Sequence, residues 1–349
     1  MLRYFLRRLA LVVPTFVGIT VVCFALVQVV PGGPVEQKLA ALRGLGGGGA
    51  QQVESGGARG GPGSVTEEMR RQLDEHFGFD KPVAVRYWRW LARDVCGLRA
   101  RSWHYPDKTV WRLVADRVPV SLWFGIPGFF LAYLVCIPLG IAKAVRRGTR
   151  FDLLSSVAVF AGYAIPSFAL GMGLKTLLCG TVDGLWDVLP LGGLESDGYA
   201  ALPFGAKVAD RARHMLLPVA CYMAGSFAML TLLVKNSLLD QLSSDYVRTV
   251  LARGATLRRA VWAHALRNAL VPVATGFGGV LAVFFAGSVV IERVFEIPGM
   301  GSLSLEALES RDYPVFLGLL SVTSILGLAG QILSDVCYVL VDPRIRFDR

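Results

Sequence analysis

Polar side chains are scarce along six stretches of this chain, at residues 9–30, 120–142, 152–178, 215–235, 270–291 and 314–341. Each is about 20 residues or longer, enough for an α-helix to cross a hydrocarbon layer roughly 30 Å thick. None carries the polar stripe of a helix packed on the flank of a soluble core. The pattern predicts an all-α polytopic membrane protein with six transmembrane helices. The first stretch, Leu9 to Val30, is longer than a usual leader's apolar core, and no small-x-small cleavage site follows it. It is expected to remain as a span, stopped by the breakers in Val29-Val30-Pro31-Gly32-Gly33-Pro34.

The segment 31–119 between the first two spans is polar and divides in two. Residues 44–63 are so rich in glycine, with Gln and Ser, that they bury too little apolar surface to order themselves. They are expected to form a flexible insert and not a phosphate cradle, because no Lys-Ser or Lys-Thr pair follows the glycines. Order resumes at Ser64-Val65-Thr66-Glu67, which has capping-box spacing. Val65, Met69, Leu73 and Phe77 then recur every four residues until Gly78 ends the helix. Pro82 opens a second short helix with Tyr87, Trp88, Trp90 and Leu91, aromatics suited to a membrane interface. Thr109 to Arg117 reads as a third amphipathic piece, and the three together predict a small extracytoplasmic helical cap.

Composition agrees with the class, since 54% of the residues are hydrophobic. A net charge of +10 would point to nucleic acid if it lay on one soluble face. Its distribution points instead to topology. Arg3, Arg7 and Arg8 precede the first span, and Lys143, Arg146, Arg147 and Arg150 fill the second-to-third connection. Lys235, Arg248, Arg253, Arg258, Arg259 and Arg267 crowd the fourth-to-fifth connection, and Arg344, Arg346 and Arg349 the tail 342–349. The opposite short loops hold only Lys207, Arg211, Arg213, Arg293 and Arg311. Both termini are therefore expected in the cytoplasm, as in a bacterial inner membrane.

No catalytic, metal or cofactor signature is present. The sequence lacks a P-loop, a His-Glu-x-x-His and a Gly-x-Ser-x-Gly. His76, His104, His214 and His264 are scattered and read as surface or interfacial residues. Cys23, Cys136, Cys221 and Cys337 lie within predicted spans, and nothing in the sequence brings Cys96 and Cys179 together. The missing P-loop means that any ATP used must be bound by another chain.

The connection 236–269 carries the sharpest signal. Val247, Val250 and Leu251 fall on one helical face, opposite Arg248. Gly254 allows a sharp turn, and Thr256 can cap a second helix through Ala260, Val261 and Ala265 toward the fifth span. Such a segment fits the groove of a soluble partner or lies on anionic lipid; the pattern alone leaves both open.

The segment resembles the coupling (EAA) loop of ABC importer permeases, in its oligopeptide and dipeptide form. Gly254 matches the motif glycine, and Tyr246-Val247-Arg248-Thr249 with Ala252-Arg253-Gly254 match the peptide version. Arg248 stands where the eponymous Glu would be, and Arg267 where the late Pro would be, as in the peptide branch. Three further stretches are similar to the B-type subunit of these permease pairs. They are Met1 to Leu9 with Val29 to Pro34, Glu292 to Gly301 with Arg311-Asp312-Tyr313-Pro314, and Asp342-Pro343-Arg344-Ile345-Arg346. Gly32 to Gln37 before the insert, Phe77 to Pro82, Ile141 to Arg146 and Gly162 to Pro166 look most like the Yej-type branch, associated with oligopeptides and microcin C-like peptides.

The resemblance implies a type I importer fold, with an ABC transporter transmembrane domain over 120–341. It also implies a second permease, two ATPase domains and an extracytoplasmic peptide-binding protein. Asp245, Tyr246, Val247, Arg248, Val250, Leu251, Arg253, Gly254, Ala255 and Arg258 would make the ATPase contact, and the helices of 64–96 would meet the binding protein. Tyr163 and Pro166 mark a kinked helix or a wall of the substrate path, and Asp335 a snorkelling or functional carboxylate. Lys175 is expected to snorkel, and Gly276, Gly278, Gly279 and Gly287 to allow close helix contact across a subunit interface. A dipeptide or nickel-chelate permease is the near alternative. A channel would need no ATPase partner, and a membrane-bound hydrolase would need a nucleophile and base that the chain does not show.

Overall fold

A computed structural model describes residues 2–29, 81–182, 186–276 and 288–341. These residues are mostly helical, and the β-pairing among them is confined to two isolated bridges, Arg101 with Thr109 and Cys179 with Asp187. The helices are α1 (Leu2–Val29), α2 (Val83–Arg89), α3 (Val110–Val145), α4 (Arg150–Ala164), α5 (Ser167–Leu178) and α6 (Phe204–Leu242). They continue with α7 (Asp245–Ala252), α8 (257–269, with a wide π turn at Ala260–Ala265) and α9 (Val271–Gly276). The last are α10 (Val289–Val294), α11 (Met300–Glu309) and α12 (Tyr313–Val341).

Among the described residues, four helices are long and apolar enough to cross a membrane: Leu6–Gln28, Val110–Val145, Phe204–Leu242 and Tyr313–Cys337. A fifth crossing is available if α4 and α5 are one broken span, bent by 95°. The remaining expected span, 270–291, runs through residues outside the described set; α9 and the start of α10 are its described parts. The expected insert 44–63, the helix at 64–78 with His76, and the tail 342–349 also lie outside the described residues.

The bend falls where Pro166 was expected to kink the third span. Proline disfavours helical angles in the residue before it. Ile165 accordingly sits at φ −86° and ψ 118°, and Pro166 begins α5. Pro119, Pro127 and Pro138 in α3 and Pro218 in α6 leave their helices continuous. The piece expected at Thr109–Arg117, leading into the second span, is the first part of α3.

The chain forms two compact units: residues 1–14, 114–305 and 323–349, and residues 15–113 and 306–322. In the smaller, Phe24 and Val27 of α1 pack with Tyr87, Trp90, Leu91, Val95 and Leu317. The Phe24 ring meets Tyr87 edge-on at 5.6 Å between centroids, and Tyr87 Oη lies 3.0 Å from Thr20 Oγ1. Of the aromatics expected at a membrane interface, only Trp88 is exposed; Tyr87 and Trp90 are core.

In the larger unit, α3 packs on α6 through Cys136, Ile141, Ala144, Leu230, Val234 and Leu238. Gly140 permits this approach, because a Cβ there would stand 2.7 Å from Val234 Cβ. Gly276 serves the same purpose within the chain: its Cβ would stand 2.5 Å from Tyr133 Oη on α3. The close helix contact expected of this glycine is thus made within the chain, while Gly278, Gly279 and Gly287 lie outside the described residues. A second cluster joins Phe124, Leu217, Val219 and Cys221 to Ile291, Phe295 and Ile297. Lys175 donates to Val294 O at 2.7 Å, so it fastens α5 to α10 and does not merely snorkel. His214 is also buried, with Nδ1 2.9 Å from Asp210 O, contrary to the surface position expected of it. No residue among the described cysteines forms a disulfide.

Candidate coupling site

The segment after α6 is built as an anchored turn with an exposed outer edge. Helix α7 buries one position fully, Val247, against Leu238, Ala260, Val261, Ala265 and Ala269, with Val250 packed beside it. Removing that apolar surface from water holds the helix in place. Leu251 was expected on the same face but is exposed, because the buried stripe is one residue narrower than the pattern implied. A hydrogen-bonded tie closes the other flank. Tyr246 Oη donates to Gln241 Oε1 at 2.8 Å and accepts from Asn268 Nδ2 at 3.2 Å, linking α6, α7 and α8. Neither partner stood out in the sequence, because the contacts close only after the chain turns.

Gly254 makes that turn. Its φ is +87°, in the left-handed region that favours glycine. Its N–H donates to Leu251 O at 2.9 Å, and the Ala255 N–H donates to Val250 O at 3.3 Å. This is the Schellman ending, which satisfies the last carbonyls of α7. Thr256 then caps α8 as expected, its Oγ1 accepting from Arg259 N at 3.3 Å. Beyond the cap, Ala260, Val261 and Ala265 turn inward and are fully or almost fully buried.

The outer edge is basic. Arg248, Arg253, Arg258 and Arg259 are exposed, against a single exposed carboxylate in the turn, Asp245. Arg248 lies 3.8 Å from Asp245, an exposed i,i+3 pair of little energetic weight. A shallow depression beside the turn is lined by Thr256, Arg258, Arg259, Trp262 and Ala263. Trp262 leaves 61% of its surface exposed, and sequence reasoning passed over it. A tryptophan three residues after Arg259 in a basic connection was the available signal. An exposed ring among arginines suits a protein groove lined with carboxylates and apolar side chains.

The expected path residues are not gathered with this segment into one site. Tyr163 is 59% exposed and lies with exposed Pro166 at the bend between α4 and α5. Asp335 is buried and ion-paired with Arg8 Nη1 at 2.6 Å. Its carboxylate is therefore neutralised by the first helix and neither snorkels nor stands open.

The stretch from Glu292 to Gly301 is organised around a buried carboxylate. Glu292 accepts from Ser121 Oγ at 3.0 Å and from Ser302 N at 2.7 Å, at the start of α11. Ser121 Oγ in turn accepts from Met300 N at 2.8 Å. Glu292 follows the expected fifth span, and burial pushes its carboxyl above the usual range while the bonds from Ser302 and Ser121 pull it back. Gly299 is required here, since a Cβ would stand 2.5 Å from the Glu292 carboxyl carbon. Among the described residues there is no group of three or more His, Cys, Asp or Glu placed to hold a metal ion.

Residues 136–347 match the family model described as the binding-protein-dependent transport system inner membrane component. Along 99% of its length the chain is 39% identical to the inner membrane ABC transporter permease protein YejB of Escherichia coli O157:H7, covering 99% of that protein. It is 38% identical to the peptidoglycan transport system permease protein YejB of Agrobacterium fabrum, with 99% and 98% covered. It is 31% identical to the oligopeptide transport system permease protein AppB of Bacillus subtilis, with 99% and 100% covered. The apolar helices, the anchored basic turn and a match across more than half the chain agree: the protein belongs to the family of binding-protein-dependent transport system inner membrane components.

Proposed function

We propose that this chain is one permease subunit of an ABC importer that carries oligopeptides, microcin C-like peptides among them, into the cytoplasm. Both termini and the α7–α8 turn face the cytoplasm in this reading, which the distribution of Lys and Arg supports. A second homologous permease completes the path, two ATPase domains dock below, and a peptide-binding protein delivers cargo from outside. The chain is a transport subunit and not an enzyme, because ATP is hydrolysed on the partner. The observation that carries the reading is the α7–Gly254–α8 turn: rigidly seated by Val247 and Tyr246, yet basic and exposed along its outer edge.

A docking helix transmits force only if it moves with the membrane helices that hold it. Val247 packs α7 onto α6, and α8 leads directly into α9. Closure of the ATPases would then rock α6 together with the fifth span. The peptide class rests on the names of the relatives and on their likeness along the full chain.

The complex reconstituted in proteoliposomes, with binding protein outside and ATP inside, tests this. Labelled oligopeptides of four or more residues are expected to accumulate, with ATP hydrolysis stimulated by the loaded binding protein. Accumulation of dipeptides or nickel chelate alone would move the cargo to the near alternative. Uptake unaffected by ATP would overturn the importer reading.

A further inference from the structure

Two of the lysines that mark the cytoplasmic ends of the spans are held inside the helix bundle, Lys143 fully and Lys235 in large part. Lys143, near the end of α3, has a fully buried side chain. Its Nζ donates to Ser156 Oγ at 2.7 Å, Ser155 Oγ at 2.9 Å and Asp152 O at 3.2 Å, all on the first turns of α4. Lys235, in the last third of α6, meets Asp152 Oδ1 at 2.6 Å. Asp152 Oδ1 is also 3.6 Å from Lys143, and Gly148 N donates to its other oxygen at 3.3 Å. One carboxylate thus joins three helices. Buried charge costs desolvation and is matched or exceeded by packed apolar residues where stability alone is at stake. A cluster of this kind is better suited to fixing how helices register on one another.

Its place in the chain says what it registers. Val234 and Leu238, on the same turns of α6 as Lys235, belong to the cluster that seats Val247 of α7. Asp152 opens α4, which runs on to Ala164, about 18 Å of helix, just before the Pro166 bend. We infer that Lys143, Asp152 and Lys235 form a transmission joint through which movement of the α7–α8 turn reaches the bend at Pro166. Lys235 is the positioning residue that links α6 to α4, and Lys143 locks α4 to α3. The inference rests on the coupling reading of that turn.

Lys235→Met is the discriminating variant. It removes the α6–α4 bond yet leaves Lys143 and Asp152 as a neutral pair, so the fold is expected to survive. In the reconstituted complex, this variant should bind the ATPases and keep the basal ATP hydrolysis. Stimulation by peptide-loaded binding protein, and transport, should fall about tenfold or more, the range of ordinary allosteric coupling. Lys235→Arg should retain most of both. If the wild-type complex shows no stimulated hydrolysis, the coupling reading itself is wrong. If it does, and Lys235→Met transports within about twofold of it, the joint is refuted. Equal loss of basal and stimulated hydrolysis in Lys235→Met and Lys235→Arg would also refute it, since that pattern reports assembly alone.

Discussion

Gly254→Val is expected to abolish transport and weaken the hold on the ATPases while the permease still inserts. The reason is backbone geometry and not crowding. A Cβ placed on Gly254 would meet nothing within 4 Å, so any side chain has room. The residue's φ of +87° is the obstacle. A residue with a Cβ pays about 1–2 kcal/mol in the left-handed region, and a β-branched one more. The two Schellman hydrogen bonds from Gly254 and Ala255 would also be lost or bent, which adds about 1 kcal/mol each. Helix α7 would then run on or fray, and the edge carrying Arg253 and Arg258 would no longer present one surface. Gly254→Asn is the matching control, since Asn enters this region most readily after glycine. Transport is expected to be retained in Gly254→Asn, fall in Gly254→Ala and vanish in Gly254→Val. Equal loss in all three would mean that the left-handed φ does not set the effect at this position.

Val247→Asp is the second large effect. Val247 is fully buried among Leu238, Ala260, Val261, Ala265 and Ala269, none of which can pair with a carboxylate. Leaving a charge unpaired in such a site costs about 3–5 kcal/mol. Because α7 has only eight residues and little helix stability of its own, the cheaper outcome is for it to leave its seat. Co-purification of the ATPase subunits with the permease should drop sharply, with a smaller change in the melting of the membrane part. Val247→Ile should bind the ATPases nearly normally. Full ATPase recovery with Val247→Asp would show that the α7 seat does not set the contact.

Much of this was legible in the sequence because a bilayer imposes long-wavelength rules. Apolar length gave the spans, and Gly254, Thr256 and Val247 stood out through rules that act within a turn or two of helix. The errors came where partners lie far away in the chain. Tyr87 and Trp90 carry the composition of interface aromatics, and partners far off in the chain, Phe24, Val27 and Leu317, make them core. Asp335 and Lys175 resembled snorkelling charges until Arg8 and Val294 supplied their partners. Lys143 and Lys235 served well as topological markers, but their shared carboxylate was hidden at the margin of a span. Helix ends were misjudged for a different reason. A hydropathy window stops where the lipid would, whereas α3 and α6 continue for 36 and 39 residues.

The exposed edge of α7 and its turn is expected to touch the ATPases. The most direct measurement is photo-cross-linking from Arg248→Cys, labelled with a benzophenone maleimide in the assembled complex. Arg248 has 69% of its side chain exposed and lies on the edge away from Val247. The same label at Asp197→Cys, an exposed position in the loop before α6, serves as the control for the opposite side. An adduct between the permease and an ATPase chain is expected from Arg248→Cys, with none from the control. Adducts to lipid alone from Arg248→Cys, in a complex that still hydrolyses ATP, would contradict it.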